Sequence, residues 1–190
     1  EKRIPEKGYP GIDWESCMTV GDKWGYNRYD VRLKEPAVII RQLQQCAARG
    51  GNLLLNIGPK ADGSIPEGVE EVFRRVGAWM EVNGEAIYES KPVPSVHLPE
   101  GWMCSIVYEE TYIFPPKMQP TEDVVLRIRA HEIDTVSPSV LGQPDCHIVM
   151  ERVEEPGKDE PTAYMQFTIP ASAWANAVEG MPVFKFSNAN

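Results

Sequence analysis

The sequence predicts an α/β unit, the last two repeats of a larger (β/α) barrel, followed by a small antiparallel β-sandwich. Three observations predict it. Over residues 1–90, strand-like runs alternate with two segments of helical period, and the connections are short. The run Leu53-Leu54-Leu55 is apolar on both faces, which is the pattern of a buried parallel strand. Beyond Pro92 and Pro94 the helical period disappears, and short β-rich runs separated by turn residues take over.

Taken in order, Glu1 to Asp13 carries Pro5, Gly8, Pro10 and Gly11 among charges and reads as a loop. A first strand runs out of Trp14-Glu15 through Cys17 to Val20. Gly21-Asp22 breaks it, and Lys23 to Leu33 is a polar, aromatic loop. Glu35-Pro36 opens a helix, because proline at a first helical position loses only an N–H that has no partner there. Val38, Ile39, Leu43, Cys46 and Ala47 recur along it, and Gly50-Gly51 closes it. The leucine strand follows, bracketed by Asn52 and Asn56. Ile65-Pro66 is expected to begin a second helix, with Val69, Val72, Phe73, Val76, Trp79 and Met80 as its apolar face and Asn83-Gly84 as its end.

Two strands and two helices do not close a parallel sheet, so residues 1–90 are expected to complete a barrel with an N-terminal segment or chain outside this sequence. Residues 91–100, opening on Lys91-Pro92-Val93-Pro94, are expected to be a linker. The sandwich is expected over 101–190, with strands at Ser105–Tyr108, Thr111–Phe114, Val124–Ile128, His147–Met150, Tyr164–Ile169 and Pro182–Phe186.

Composition narrows the function classes. The chain has 190 residues and a formal net charge of -9, which disfavours nucleic acid and anionic membrane surfaces as partners. No apolar run reaches the length of a membrane span. The four cysteines show no C-x-x-C spacing, so no zinc site is expected. Cys17 and Cys46 sit in apolar company, and Cys104 with Cys146 is the pair left open for a disulfide. Neither glycine-rich phosphate-loop spacing is present, and the three histidines have no triad arrangement. No cofactor is expected.

The stretch Trp14–Asn27 holds the chemistry-bearing residue types. Aromatic faces beside a carboxylate suit a sugar, whose C–H-rich ring faces stack on indole or phenol and whose glycosidic oxygen an acid can protonate. A core strand followed by an aromatic hairpin is the competing reading of the same residues. Glycoside hydrolysis needs two carboxyl groups, and Glu1 and Glu15 are the candidates beside the first strand.

Four ordered motifs carry a resemblance. They are Trp14-Glu15-x-Cys17-x-Thr19, Trp24-Gly25-Tyr26-Asn27, Gly50-Gly51-Asn52-Leu53-Leu54-Leu55-Asn56-Ile57-Gly58-Pro59-x-Ala61-Asp62-Gly63-x-Ile65 and Asn83-Gly84-Glu85-Ala86-Ile87-Tyr88. Together they resemble the α-L-fucosidases of glycoside hydrolase family 29, whose catalytic domain is a TIM-type barrel; the second half resembles that family's C-terminal β domain in pattern and position only. The resemblance implies a retaining exo-glycosidase acting on terminal α-L-fucose of a glycan through a covalent glycosyl-enzyme. Its nucleophile is an aspartate on an earlier barrel strand that nothing here matches, so the isolated segment is expected to be inactive. It further implies Glu1 as acid/base, with Glu15 as second candidate, and Trp24 as an aromatic lining the fucose pocket, with Trp14 and Tyr26 beside it. A secreted, periplasmic or lysosomal location fits such an enzyme. A non-catalytic glycan-binding or scaffolding protein with a degenerate barrel end is the alternative.

Overall fold

A computed structural model describes residues 3–29, 32–93, 95–133, 136–157 and 161–188. The first half is β1 (Glu15–Thr19), α1 (Pro36–Ala48), β2 (Asn52–Asn56) and α2 (Val69–Asn83). β1 and β2 pair in parallel with Glu15 opposite Asn52 and Thr19 opposite Asn56. The βαβα order is therefore as expected, and among the described residues there is no closed barrel.

Alternation along the two strands gives the small sheet two unlike faces. Met18 and Leu55 stand opposite each other on the helix side, where Leu55 packs with Val20, Ile39, Val69 and Val72. Glu15, Cys17 and Thr19 share the other face with Asn52, Leu54 and Asn56. The leucine run was expected to be buried on both sides. Instead Leu54 is 42% exposed, because neither helix covers that face.

Both helices depart from the sequence reading in instructive ways. α1 is buried on two sides: Ile39 faces the parallel sheet, while Ala37 and Ile40 join a second core with the C-terminal half. Val38 falls on the strip left over and is exposed. α2 begins at Val69 rather than at Ile65-Pro66, because Gly68 takes φ 84°, in the left-handed region a right-handed helix does not contain. Glu70 and Glu71 follow in its first turn, where carboxylates favour the positive end of the helix dipole. Phe73, placed on the apolar face by its spacing, is exposed; Val72, Val76 and Trp79 make the packed stripe.

The second half is two antiparallel sheets. Its strands are β3 (Lys91–Pro92), β4 (Met103–Val107), β5 (Glu110–Phe114), β6 (Val124–Arg129), β7 (Val136–Val140), β8 (Val149–Glu155), β9 (Thr162–Ile169) and β10 (Phe184–Asn188), with a short helix α3 (Ser172–Ala175) before β10. One sheet has the order β3-β4-β5-β10-β7 and the other β6-β9-β8. Side chains from both meet in one core containing Ile113, Leu126, Ile128, Phe167 and Phe184. Phe167 meets Phe186 edge to face at 4.8 Å, and Trp174 of α3 meets Phe184 at 5.5 Å.

The strand runs missing from the sequence reading are edge strands. Lys91-Pro92 was expected to open a linker, yet it pairs with Ile106 and Ser105 at one edge of the five-stranded sheet. Val136-Ser137-Pro138-Ser139-Val140, absent from the expected strands, forms the other edge, against β10. Proline lacks a backbone donor, and an edge strand is where that donor can be spared. β8 extends to Glu155, past the expected Met150, and its exposed Glu151, Arg152 and Glu154 are the charges that edge strands carry. Cys104 and Cys146 are free thiols, as are Cys17 and Cys46.

The halves are packed against each other. Trp79 is fully buried and donates its indole N–H to the Met181 carbonyl at 2.7 Å. Arg75 makes a two-pronged pair with Glu179 at 2.7 and 2.8 Å, so it is more than the solvated cation its position suggests. Arg41 of α1 donates to the Pro115 carbonyl at 2.9 Å and to that of Gly101.

Candidate active site

The carboxyl-terminal ends of β1 and β2 open into a cleft of about 560 Å³. Its wall combines the end of β1 and the loop after it (Val20, Gly21, Gly25, Tyr26, Asn27), the end of β2 (Asn56, Ile57, Gly58) and the turn into α2 (Pro66, Glu67, Gly68). Such a position is where loops gather in α/β sheets that bind ligands.

The loop after β1 is shaped by contacts with β2 and with the segment that enters α1. The side-chain amide of Asn56 donates to the Trp24 carbonyl at 2.7 Å. Gly58 lies under the same loop: a Cβ there would sit 2.5 Å from the Tyr26 nitrogen, so only glycine lets the two chains approach this closely. At the foot of the loop the Lys34 ammonium donates to the Thr19 carbonyl and, at 3.3 Å, to that of Gly21. The backbone N–H of Lys34 donates to the Val20 carbonyl at 2.9 Å. Asp22 and Arg32 pair at 2.7 Å in solvent, where an ion pair contributes little. Beyond β2, the Ser64 hydroxyl and N–H hold the Asp62 carboxyl below its ordinary range.

These contacts separate the residues singled out in the sequence into two groups. Tyr26 lines the cleft and Trp24 lies on the same loop; both are partly exposed, Trp24 at 38% and Tyr26 at 47%. Trp14 and Glu15 stand at the opposite end of β1. Five strand residues span roughly 13–16 Å, so the Trp14-Glu15 pair does not meet the Trp24–Tyr26 loop. Trp14 packs its indole on Gly51, where a Cβ would come within 2.2 Å of the ring, and meets Tyr9 edge to face. Glu15 is exposed and accepts from the Cys17 thiol at 3.6 Å. Glu1 lies outside the described residues.

Chemically, the described cleft offers an aromatic and amide wall with Lys23, Arg28, Lys60 and Glu67 around it. Among its described lining residues Glu67 is the carboxylate, so the pair that glycoside cleavage requires is not assembled by them. Among the described residues no group of three or more His, Cys, Asp or Glu is placed to hold a metal ion. Asn56, which closes the leucine strand in the sequence, is the amide of that wall that also holds the loop. Its position after a leucine run was the signal. Lys34 carried no signal, because its ammonium is held by the carbonyls of Thr19 and Gly21, a dozen or more positions back.

Comparison with known proteins agrees with this geometry. The profile of the family described as "Alpha-L-fucosidase" matches residues 1–85. Over these residues the chain is similar to the alpha-L-fucosidase family. It is 49% identical over 82 residues to the plasma alpha-L-fucosidase of Rattus norvegicus, covering 40% of this chain and 17% of that protein. It is 44% identical over 97 residues to the tissue alpha-L-fucosidase of Homo sapiens, covering 48% and 20%. The chain thus spans about a fifth of the length of these relatives. Among solved structures, alpha-L-fucosidase isoenzyme 1 from Paenibacillus thiaminolyticus superposes with a TM-score of 0.80 at 25% identity, over 100% of this chain and 44% of that one. The Thermotoga maritima alpha-fucosidase in complex with a mechanism-based inhibitor superposes at 0.75 and 22% identity, over 94% and 40%. The latter likeness extends the fold similarity through both antiparallel sheets. Among the described residues no helix is long and apolar enough to cross a membrane.

Proposed function

We propose that this chain is part of a retaining exo-glycosidase that hydrolyses terminal α-L-fucose from glycans or glycoconjugates. One observation carries the proposal: the cleft at the carboxyl ends of β1 and β2, walled by the Trp24–Tyr26 loop, lies within the region matched by the fucosidase family. In this reading β1–α1–β2–α2 is a sector of a (β/α) barrel. The face away from the helices, with Glu15, Asn52 and Leu54 exposed on it, looks into that barrel, and an N-terminal segment supplies the other strands and the nucleophilic aspartate. Fucose is a 6-deoxy sugar with an apolar corner, and the Trp24 and Tyr26 rings suit that corner. Glu1 is the acid that protonates the leaving oxygen. Glu15, at the amino end of β1, is better placed to order the strand through Cys17 than to reach a sugar at the other end. Such an enzyme would work outside the cytosol, secreted, periplasmic or lysosomal.

The test uses the full-length natural protein. It should release fucose from an aryl α-L-fucoside with retention of anomeric configuration, read by NMR. Glu1→Gln should slow hydrolysis of natural glycans far more than that of substrates with good leaving groups, since only the former need the proton. Glycan binding without any release would overturn the proposal in favour of a non-catalytic binding protein; equal losses for both substrate types would remove Glu1 from the acid role.

A further inference from the structure

We infer that Asn56 is a positioning residue: it holds the Trp24–Tyr26 loop over the cleft and so sets sugar affinity through Trp24. The structural part stands on the hydrogen bonds themselves; the kinetic part rests on the fucosidase reading.

The described residues of the segment between β1 and α1 contain no helix or strand, so its shape comes from contacts with its surroundings. A loop of this length without structure of its own is generally functional or disordered. Here it is tied at two levels. Lys34 gathers the carbonyls of Thr19 and Gly21 at the point where the loop leaves β1. Further out, the reach across to β2 is made by the Asn56 amide on the Trp24 carbonyl at 2.7 Å, beside the close approach of Gly58 to Gly25 and Tyr26. The first tie fixes where the loop starts; the second fixes where its aromatic residues stand.

The position of Asn56 makes this role specific. It is the last residue of β2, opposite Thr19, and alternation puts it on the face away from the helices. Three leucines precede it, and a fourth apolar residue would continue the pattern while offering no donor. A carboxylate would match the amide's shape but set negative charge against the Trp24 carbonyl. An amide is the side chain of this size that donates to a carbonyl while staying neutral.

The test has two independent readouts on the full-length natural protein. Asn56→Asp keeps size and removes the donor, Asn56→Ala removes both, and Asn52→Ala, at the far end of the same strand, is the control. The expected structural result is faster amide hydrogen exchange across residues 21–29 in both Asn56 variants, with the exchange of α1 and the melting temperature close to those of the unmodified protein. The expected kinetic result is a KM for an aryl α-L-fucoside raised roughly three- to ten-fold, the scale of one lost hydrogen bond, with kcat changed less. In a Trp24→Ala background the Asn56→Asp change should add little further, since the two act on the same contact. Unchanged exchange over residues 21–29 overturns the positioning role. Multiplying KM effects in the double variant overturn its action through Trp24. Faster exchange in a protein that never hydrolyses fucosides keeps the positioning role and overturns the fucosidase reading instead.

Discussion

The two halves of the chain solve the burial problem differently. The antiparallel half closes on itself: its two sheets face each other, and Leu126, Phe167, Phe184 and Phe186 are almost wholly shielded from water. The parallel half covers only one face of its sheet. Leu55 meets the helices, while Leu54, Glu15 and Asn52 on the opposite face stand exposed. The difference teaches where function resides. The five-stranded sheet is packed on both faces, against the second sheet and against α1 and α2; the half with an open face has the cleft, the Asn56 tie and the aromatic loop. The closed half contributes stability to the other through Trp79, Arg75 and Arg41, which anchor α1 and α2 to it.

The comparison is broken most decisively by truncating one buried residue from each half. Phe186→Ala should destabilise the chain by about 3–5 kcal/mol, the usual cost of removing a buried phenylalanine, measured by denaturant unfolding. Leu54→Ala, on the uncovered face, should change stability by less than about 1 kcal/mol. Equal costs would mean that the open face is covered by something else in solution.

A smaller effect is expected at the crossing beneath the loop. Gly58→Ala must push the backbone of Gly25 and Tyr26 aside, because the added Cβ would meet backbone rather than a flexible side chain. A loss of about 1–3 kcal/mol is the common range for such overpacking. Alongside it, hydrogen exchange of residues 21–29 should accelerate while the β-sheet core remains protected. Uniform acceleration would show that the loop is part of the global folding unit.

The smallest effect compares one thiol from each half. Burial pushes Cys46 in α1 and Cys104 in β4 up to about 11; the nearby Arg49 partly opposes this at Cys46, whereas Glu132 adds to it at Cys104. Both are therefore neutral at pH 8 and should resist alkylation in the native chain. Above the unfolded thiol pKa of about 8.5, the unfolded state loses protons that the folded state retains. Stability should therefore fall as pH rises from there towards 11. Cys104→Ala and Cys46→Ala should each flatten that decline, which thermal melts across the pH range would measure.

Much of this was legible from residue order. Pro36, the Gly50-Gly51 stop and the leucine run located α1 and β2 because each acts within its own few residues. The edge strands Lys91–Pro92 and Val136–Val140 were not legible, since their prolines and serines look like turns until a partner strand satisfies them from one side. The same limit applied to the candidate site. Trp14, Glu15, Trp24 and Tyr26 lie close in sequence and read as one constellation, yet a strand lies between them and sends the two pairs to opposite ends of the sheet.

By itself, then, the sequence determined the βαβα order, the antiparallel character of the second half and the likeness of residues 1–85 to the fucosidases, because local propensity, periodicity and motif spacing are properties of neighbouring residues. Which aromatic residues reach the cleft, how Asn56 and Lys34 shape the loop and how the halves lock together were decided by the tertiary structure alone. Those facts rest on contacts between residues far apart in the chain, where distance in space is set by packing and not by order.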